Sequence, residues 1–597
     1  MAFDNSDVTV DSPINNFAVL NALNNKMSTY SEGNLTAYSD KSYNGATSGL
    51  AYATIAIPQT GKWYCEVLWV SGPQSSHMGV WPDLYGGGYG ERFRIIARSD
   101  GSMWMNGSSG NVGTGSITSW NHGDIISMLC DADAGTLSFY KNGSHTNTTT
   151  FTDWNHFDNR SRTFVLLANS GITHVVNFGV DQTFGGRDLG GGAYTDSNGQ
   201  GQFYYPIAFD NGALALCTKN LPEGQIKLSQ DETPSDHFKT LTWIGDTQTS
   251  RTHTVGFPAD LVWVKNRDHG NSNNLYDSVR GHGSASAGNN LQADQTYPEN
   301  YYGTYGYVSS VTSTEITFDG GTTNDGYVNK NGDKMVAWFW RAAGSPADNQ
   351  AKIINEYGTQ ADTTCAALAS AATNAGASNV ITPSKVSANR QNGFSIVKWN
   401  NQGTVPHGLS KAPEFIIVKS IDQTSGWWVY ATALGNSNYG VPLHSSAAQN
   451  TSINWGGSPD ANVFYVTNGQ GALPNPSNSI AYCWHSVAGY SKFGSFTSAS
   501  DGVYVDLGFK PALIISKLIG TGHWNMYDNA RQPFNTGSSN VLYPDLPNEE
   551  GSDSTVYNFE FLSNGFRSFG TGSTYNSGTH LFIAFAETPF NAPATAR

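Results

Sequence analysis

Chemistry in this chain would have to come from a few short arrangements of residues. Asp131-Ala132-Asp133-Ala134-Gly135 has the alternating carboxylates that open a calcium loop. It lacks the glycine at position six and the bidentate glutamate at position twelve that complete one. The run Gly86-Gly87-Gly88-Tyr89-Gly90 has no helix patterned after it to cradle a phosphate, so it reads as a loop. Ser284-Ala285-Ser286-Ala287-Gly288 misses the first glycine of a nucleophile elbow and its strand-turn-helix setting. The 14 histidines show no HExxH spacing, and the five cysteines are scattered without a CxxC pair, so neither a zinc site nor a disulfide framework is suggested. A carboxylate pair for glycoside hydrolysis is a matter of spatial separation and is not legible in one sequence. No catalytic residue, metal ligand or cofactor is assigned, and the chain is read as non-enzymatic.

Two recurring polar features and a set of aromatics remain. Asp277 with Arg280, and Asp528 with Arg531, repeat an Asp-x-x-Arg spacing that lapses to Ala431 and Leu434 in a third place. A catalytic pair would not triplicate and then lapse, so the expectation is a turn-stabilising ion pair worth at most about 1 kcal/mol if exposed. A lysine recurs at the end of an apolar run (Lys265, Lys419, Lys517) and is expected to snorkel to solvent. Aromatic rings among Asn, Gly and Asp can stack on sugars or anchor protein contacts. On that basis Tyr85, Tyr89, Trp104, Tyr301, Tyr302 and Trp427 are the candidate receptor or glycan contacts. Trp427-Trp428 opens a strand, so alternation sends one ring in and one out.

The elements that must carry these residues are set by an internal repeat. One copy opens at Gly256-Phe257 and reads LVWVK to Lys265, LYD to Asp277 and MVAWFW to Trp340. The next opens at Gly408-Leu409 and reads FIIVK, VYA and IAYCW; the last opens at Gly508-Phe509 and reads LIISK, MYD and LFIAF. Continuous apolar runs of this length suit strands buried on both faces. Hairpin turns are expected at Asp319-Gly320, Asn468-Gly469 and Asn564-Gly565. Ala361–Ala375 is the one stretch with helical potential, short on caps.

Ahead of the repeats, KWYCEVLWV, MGVW, DIISMLC and GTLSFYKNG alternate as strands separated by turns, with an Asn142-Gly143 hairpin. Together with FVLLANSG and Val176-Asn177-Phe178-Gly179, these motifs over residues 13–182 resemble a SPRY domain. That resemblance implies a two-sheet sandwich whose loops bind other proteins. The fold class expected is all-β, with tandem antiparallel β-sandwiches: a SPRY-like sandwich followed by three related modules. Residues 1–182 hold an N-terminal segment and the SPRY-like sandwich, and 183–237 a connector. The modules occupy 238–346, 393–490 and 491–597, with an insert or linker at 347–392.

Composition bounds the setting. Charged residues make up only 13% of the chain while Trp, Tyr and Phe number 16, 29 and 29, which excludes a disordered chain. A formal net charge of -15 argues against nucleic acid as a partner. Neither a secretory signal nor an apolar run long enough to span a membrane is visible, so no membrane insertion is expected and maturation is assigned to a reducing cytoplasm.

ALCTKNLP, PADLVWVKNRD and LYDSVRG after a SPRY-like sandwich, with Asp11-Ser12-Pro13-Ile14-Asn15-Asn16-Phe17 at the start, resemble tail-fibre and other virion structural proteins of tailed bacteriophages. The resemblance implies a virion protein assembled in the host bacterial cytoplasm. The role expected is a tail fibre or appendage for host attachment, partnered by other virion proteins and a host surface glycan or protein, as a homotrimer. A head-decorating capsid fibre and a tail-associated polysaccharide depolymerase are the alternatives.

Overall fold

A computed structural model describes residues 17–21, 27–40, 49–58, 60–73, 76–82, 95–107, 110–150, 162–168, 171–187, 189–217, 219–220, 233–246, 249–284, 287–301, 303–321, 326–466, 477–498, 502–532, 539–553, 558–569 and 578–586. The alternating strands of the first third form two sheets packed face to face. One runs in the order 29–31, 36–39, 172–177, 62–71, 125–131, 136–141 and 144–150. The other runs 49–52, 162–168, 76–82, 95–98, 102–107 and 110–116. Lys141 pairs with Ser144 across Asn142 and Gly143, whose φ angles of 48° and 81° are the left-handed pair that an Asn-Gly hairpin needs.

Residues 183–217, expected as a connector, are part of this sandwich. Leu214 and Ala215 pair parallel with Trp63 and Tyr64, and Phe203, Ile207, Leu216 and Cys217 enter its core. All five cysteines are buried.

The repeat builds three β-sandwich modules of common design. Each has an inner sheet built on four common strands, taken here as first to fourth strand in chain order. These are 238–244, 261–266, 274–277 and 334–340 in the first module, and 394–400, 415–420, 428–431 and 478–484 in the second. In the third they are 491–497, 513–518, 524–528 and 579–585. In every copy the fourth strand lies between the first and the second, and the third pairs with the second. A smaller outer sheet covers one face of each: 250–254, 315–319 and 307–311; 403–406 and 463–466; 503–506, 565–569 and 558–562.

Alternation along the fourth strand explains the continuous apolar runs. Met335, Ala337 and Phe339 point outward into the first module's own core, while Val336, Trp338 and Trp340 point inward. The same split puts Ala481 and Cys483 outward with Ile480, Tyr482 and Trp484 inward, and Phe582 and Ala584 outward with Leu581, Ile583 and Phe585 inward. All the inward residues join one cluster shared by the three modules, so the inner sheets face each other about a pseudo-threefold axis. At its centre Trp340, Trp484 and Phe585, equivalent residues of the three copies, meet pairwise edge-on at interplanar angles of 64°, 73° and 63°. A void of about 20 Å³ there is lined entirely by apolar and aromatic residues. The recurrent Gly256, Gly408 and Gly508 take φ of 99°, 79° and 76°, left-handed values open to glycine, which accounts for their recurrence ahead of the second strand.

Residues 347–392 are not a linker. Strands 350–354 and 385–389 pair in parallel and extend the second module's inner sheet beyond its first strand, with 363–364 at the edge. The Ala-rich stretch forms a helix, Cys365–Asn374, capped by Thr364, whose hydroxyl accepts from the Ala367 N–H, so the missing cap is present. The hairpins also shift from expectation. Thr312 to Thr314 make the first copy's turn, and Asp319-Gly320 ends a strand instead. In the third copy Leu562 pairs with Gly565, so the loop is Ser563-Asn564. Asn468-Gly469 lies outside the described residues.

Candidate functional site

The recurrent lysine does not reach solvent. Lys265, Lys419 and Lys517 are all 0% exposed, because each has the parity of the inward residues of its strand and a neighbouring module covers that face. Each Nζ donates to backbone carbonyls. Lys265 reaches Asn266, His269 and, in the third module, Pro547, at 2.8, 3.2 and 3.0 Å. Lys419 reaches Ser425 and, in the first module, Thr296, at 2.9 and 3.1 Å. Lys517 reaches Leu518 and Gly520 at 2.6 and 3.0 Å. Burial pulls the ammonium groups down to about 7, 7 and 8.

The Asp-x-x-Arg pairs are also buried, which corrects their reading as exposed turn pairs. Arg280 Nε meets Asp277 Oδ2 with both side chains at most 1% exposed, and Arg531 Nε meets Asp528 Oδ2 at 2.6 Å with both at 0%. The remaining guanidinium donors repeat as well. Leu275 O and Asn289 O take them from Arg280, and the equivalent Met526 O and Asn540 O from Arg531. Across the interface, the Tyr482 hydroxyl of the second module donates to Asp277 Oδ2 at 2.7 Å, and Trp338 Nε1 of the first donates to Asp528 Oδ2 at 3.2 Å. Trp338, Tyr482 and Ile583 are the same position of the fourth strand, facing Trp263, Ile417 and Ile515 in register. The lapse therefore has a physical cause. At the interface of the second and third modules the donor is Ile583, which has no polar hydrogen, and the acceptor has become Ala431.

A third recurrent contact was not legible in sequence. An equivalent residue at the start of each third strand (just before it in the first two modules, its first residue in the third) donates to the same carbonyl of a neighbouring module. Asn273 Nδ2 reaches Tyr543 O, Trp427 Nε1 reaches Gln292 O, and Trp524 Nε1 reaches Pro442 O, at 2.9, 2.8 and 2.8 Å. The cycle closes the ring of modules. Only the tryptophans had a visible signal, and Asn273 broke it.

Among the proposed contacts, Trp427 is thereby corrected: its ring is 0% exposed and held inside the ring of modules, while Trp428 is half-buried. Alternation did send one ring deeper than the other. Tyr301 is 51% exposed and stacks on Tyr297, with centroids 3.8 Å apart and planes 7° apart. Their loop is pinned on both sides, since Thr296 O accepts from Ser425 N and Glu299 N donates to Ile421 O. Glu299 also accepts from Arg280 Nη1 at 2.8 Å. Trp104 lies on a strand of the first sandwich, and Tyr85, Tyr89 and Tyr302 fall outside the described residues.

Among the described residues the first sandwich buries two carboxyl groups, Glu66 and Asp196. Glu66 accepts from Tyr204 N, Tyr205 N, Asn177 Nδ2 and the Tyr64 hydroxyl at 2.8 to 3.1 Å. Burial raises its carboxyl to about 7 against the pull of those donors. It ties residues 204–205 to the strand 62–71. Among the described residues no cluster of three or more His, Cys, Asp and Glu is arranged to hold a metal, and no helix is long and apolar enough to cross a membrane.

The three-module body coincides with a known sequence family, whose model matches residues 233–365 and 354–589, more than half of the chain. The chain belongs to the DUF7483 family. That family is described as a domain of unknown function, and its two matched segments overlap within the strand-and-helix extension of the second module. No curated protein matches this DUF7483 chain. Among solved structures it is similar to the SPRY domain of human HERC1, at 20% identity over 24% of this chain and 87% of that one, with a TM-score of 0.20. It is also similar to the PSpry domain of TRIM65, at 14% identity, 27% and 91% coverage and a TM-score of 0.21. A carbohydrate-binding module, CBM66 from Bacillus subtilis, is similar at 7% identity, 26% and 89% coverage and a TM-score of 0.19. At such scores these likenesses carry no weight of their own, and the β-sandwich assignment rests on strand pairing.

Proposed function

We propose that this protein is a non-enzymatic structural and display protein: a closed three-module base that carries a SPRY-like sandwich and presents aromatic loops for attachment. The observation that carries this reading is the use made of the recurrent polar residues. The buried lysines, the Asp–Arg pairs and the Asn/Trp donors are spent on contacts within and between modules, which favours a scaffold over an active centre. The Tyr297–Tyr301 stack, held on a pinned loop, supplies a rigid face suited to a sugar ring or a partner side chain.

The setting proposed is a bacteriophage virion, as a tail fibre or similar appendage, with other virion proteins as partners. It rests on the sequence resemblance alone. Negative-stain microscopy of virions with a labelled antibody tests it, and label on tail appendages is expected. Label on the head would move the protein to a capsid fibre, and no label on virions would end the phage reading. Incubating the purified protein with host capsule tests the non-enzymatic part, for which no released oligosaccharide is expected. Tyr301→Ala is expected to weaken adsorption to host cells without lowering the melting temperature.

A further inference from the structure

The inner sheet of the second module is extended beyond its first strand, and that of the third module is not. In an antiparallel sheet both backbone polar groups of a residue point to one side, and successive residues alternate. Ala512 N donates to Phe585 O, so Phe585 turns to the second strand, and Ser491, paired with it from the other side, turns away. Accordingly Ser491 N and O exchange hydrogen bonds with Val487 at 2.8 and 3.1 Å. Phe493, Ser495 and Thr497 share that parity and present their backbone to the open edge of strand 491–497. Phe493 N is taken by Ser486 Oγ at 3.1 Å, and beyond it no strand among the described residues pairs with this edge. Ser495 and Thr497 are exposed. Beside the edge lies a cleft of about 310 Å³, lined by Phe493, Gly494 and Ser495 from the third module and by Glu414, Thr432 and Ala433 from the second.

The equivalent edge of the second module is covered. Phe394 and Ser491 pair with the corresponding Trp484 and Phe585, so Ile396, Val397 and Lys398 are the counterparts of Phe493, Gly494 and Ser495. Strand 385–389 lies antiparallel against them, with Lys385 opposite Lys398 and Ser387 opposite Ile396. The Lys398 carbonyl accepts from Ser384 N at 2.8 Å. Val386 and Ala388 enter the second module's own core. Ser387 Oγ accepts from Ala343 N and donates to Gly344 O at 2.9 and 2.7 Å, so the strand lies where the first and second modules meet. The connection 341–393 is long enough to supply such a strand, whereas 485–490 passes directly to the next module and covers the edge only at Val487 and Ser486. The cleft thus stands in the place that 385–387 fills in the second module. In the first module the corresponding edge ends on Ile244, whose carbonyl accepts from Arg251 Nη1 at 2.6 Å.

We infer that the open edge of strand 491–497 docks an extended segment of a partner polypeptide, which adds antiparallel along residues 493–497 as 385–389 adds to the second module. The segment it fits has the pattern of 384–389: apolar side chains towards the module's own core, polar ones towards the neighbouring module, and no proline where an N–H must face the edge. The inference does not rest on the virion setting. The probe is the capped peptide of residues 384–389, added to the full chain and followed by hydrogen–deuterium exchange. With the peptide at about ten times its Kd, exchange at Ser495 and Thr497 is expected to slow about tenfold. N-methylation of the peptide at Lys385 and Ser387, whose N–H groups face the edge, is expected to abolish the effect. N-methylation at Val386 and Ala388, whose groups face away, is expected to leave it. Ser495→Pro removes a donor from the open edge, where proline is tolerated, and is expected to abolish binding without lowering the melting temperature. No slowing within residues 493–497 overturns the inference. So does equal slowing by the two methylated peptides, or binding that Ser495→Pro leaves intact. Should Ser495→Pro not fold, the two methylated peptides decide.

Discussion

A lysine held among backbone carbonyls gains hydrogen bonds but loses the hydration of its charge, and at Lys265, Lys419 and Lys517 the loss dominates. Their ammonium groups sit at about 7, 7 and 8 when folded, against roughly 10.4 when unfolded. Between those values the unfolded chain binds more protons, so these lysines make stability climb as pH rises from about 7 towards 10, and weigh against it most below 7. Denaturant melts of the chain and of Lys419→Met across that range should differ by this slope, with the variant flatter. A variant that keeps the full slope would remove Lys419 from the account. The buried pairs make a second residue-scale prediction. Tyr482→Phe removes the hydroxyl that donates to Asp277 and should cost about 1–3 kcal/mol in an equilibrium melt, the scale of one hydrogen bond to a buried charge.

At the scale of elements, the inner sheets stabilise the molecule because both of their faces are covered. The period-two split along each fourth strand gives one set of side chains to the module's own core and the other to the shared core. Truncating a ring at the axis removes contacts to two other modules at once, since the void there is already about 20 Å³ and has no polar group to hold water. Phe585→Ala should therefore cost about 3–5 kcal/mol, measured as a shift in denaturation midpoint at constant slope. The strands themselves were legible from apolar runs and turn residues. The hairpin positions were less so: Asn564-Gly565 fell one residue from the turn at 563–564, whereas Asp319-Gly320 lies at the opposite end of its strand from the turn at 312–314.

At the scale of the molecule, the three modules form one body. Hydrogen bonds join first to third, second to first and third to second at one equivalent position. A module taken alone would expose its inward residues, Ile480, Tyr482 and Trp484 in the second, together with the buried Lys419. Residues 347–490 expressed singly should aggregate or bind a hydrophobic dye, whereas residues 233–589 should unfold in one cooperative transition. Independent, reversible folding of the single module would contradict the shared core.

The amino-acid sequence by itself determined the all-β class, the three copies and their order, the glycine that opens each copy, and the recurrence of the lysine and the Asp–Arg pair. These depend on short-range alternation and on turn conformations, which local residues control. Alternation also says that two faces of a strand differ or agree in polarity, but not what covers them. Only the tertiary structure decided that the second face lies against another module. That single fact turned Lys265, Lys419 and Lys517 from surface ends into buried contacts, and Trp427 from a receptor candidate into a hydrogen-bond donor to Gln292. It also gave the lapse at Ala431 and Leu434 its place, at the interface of the second and third modules, where the fourth strand presents Ile583.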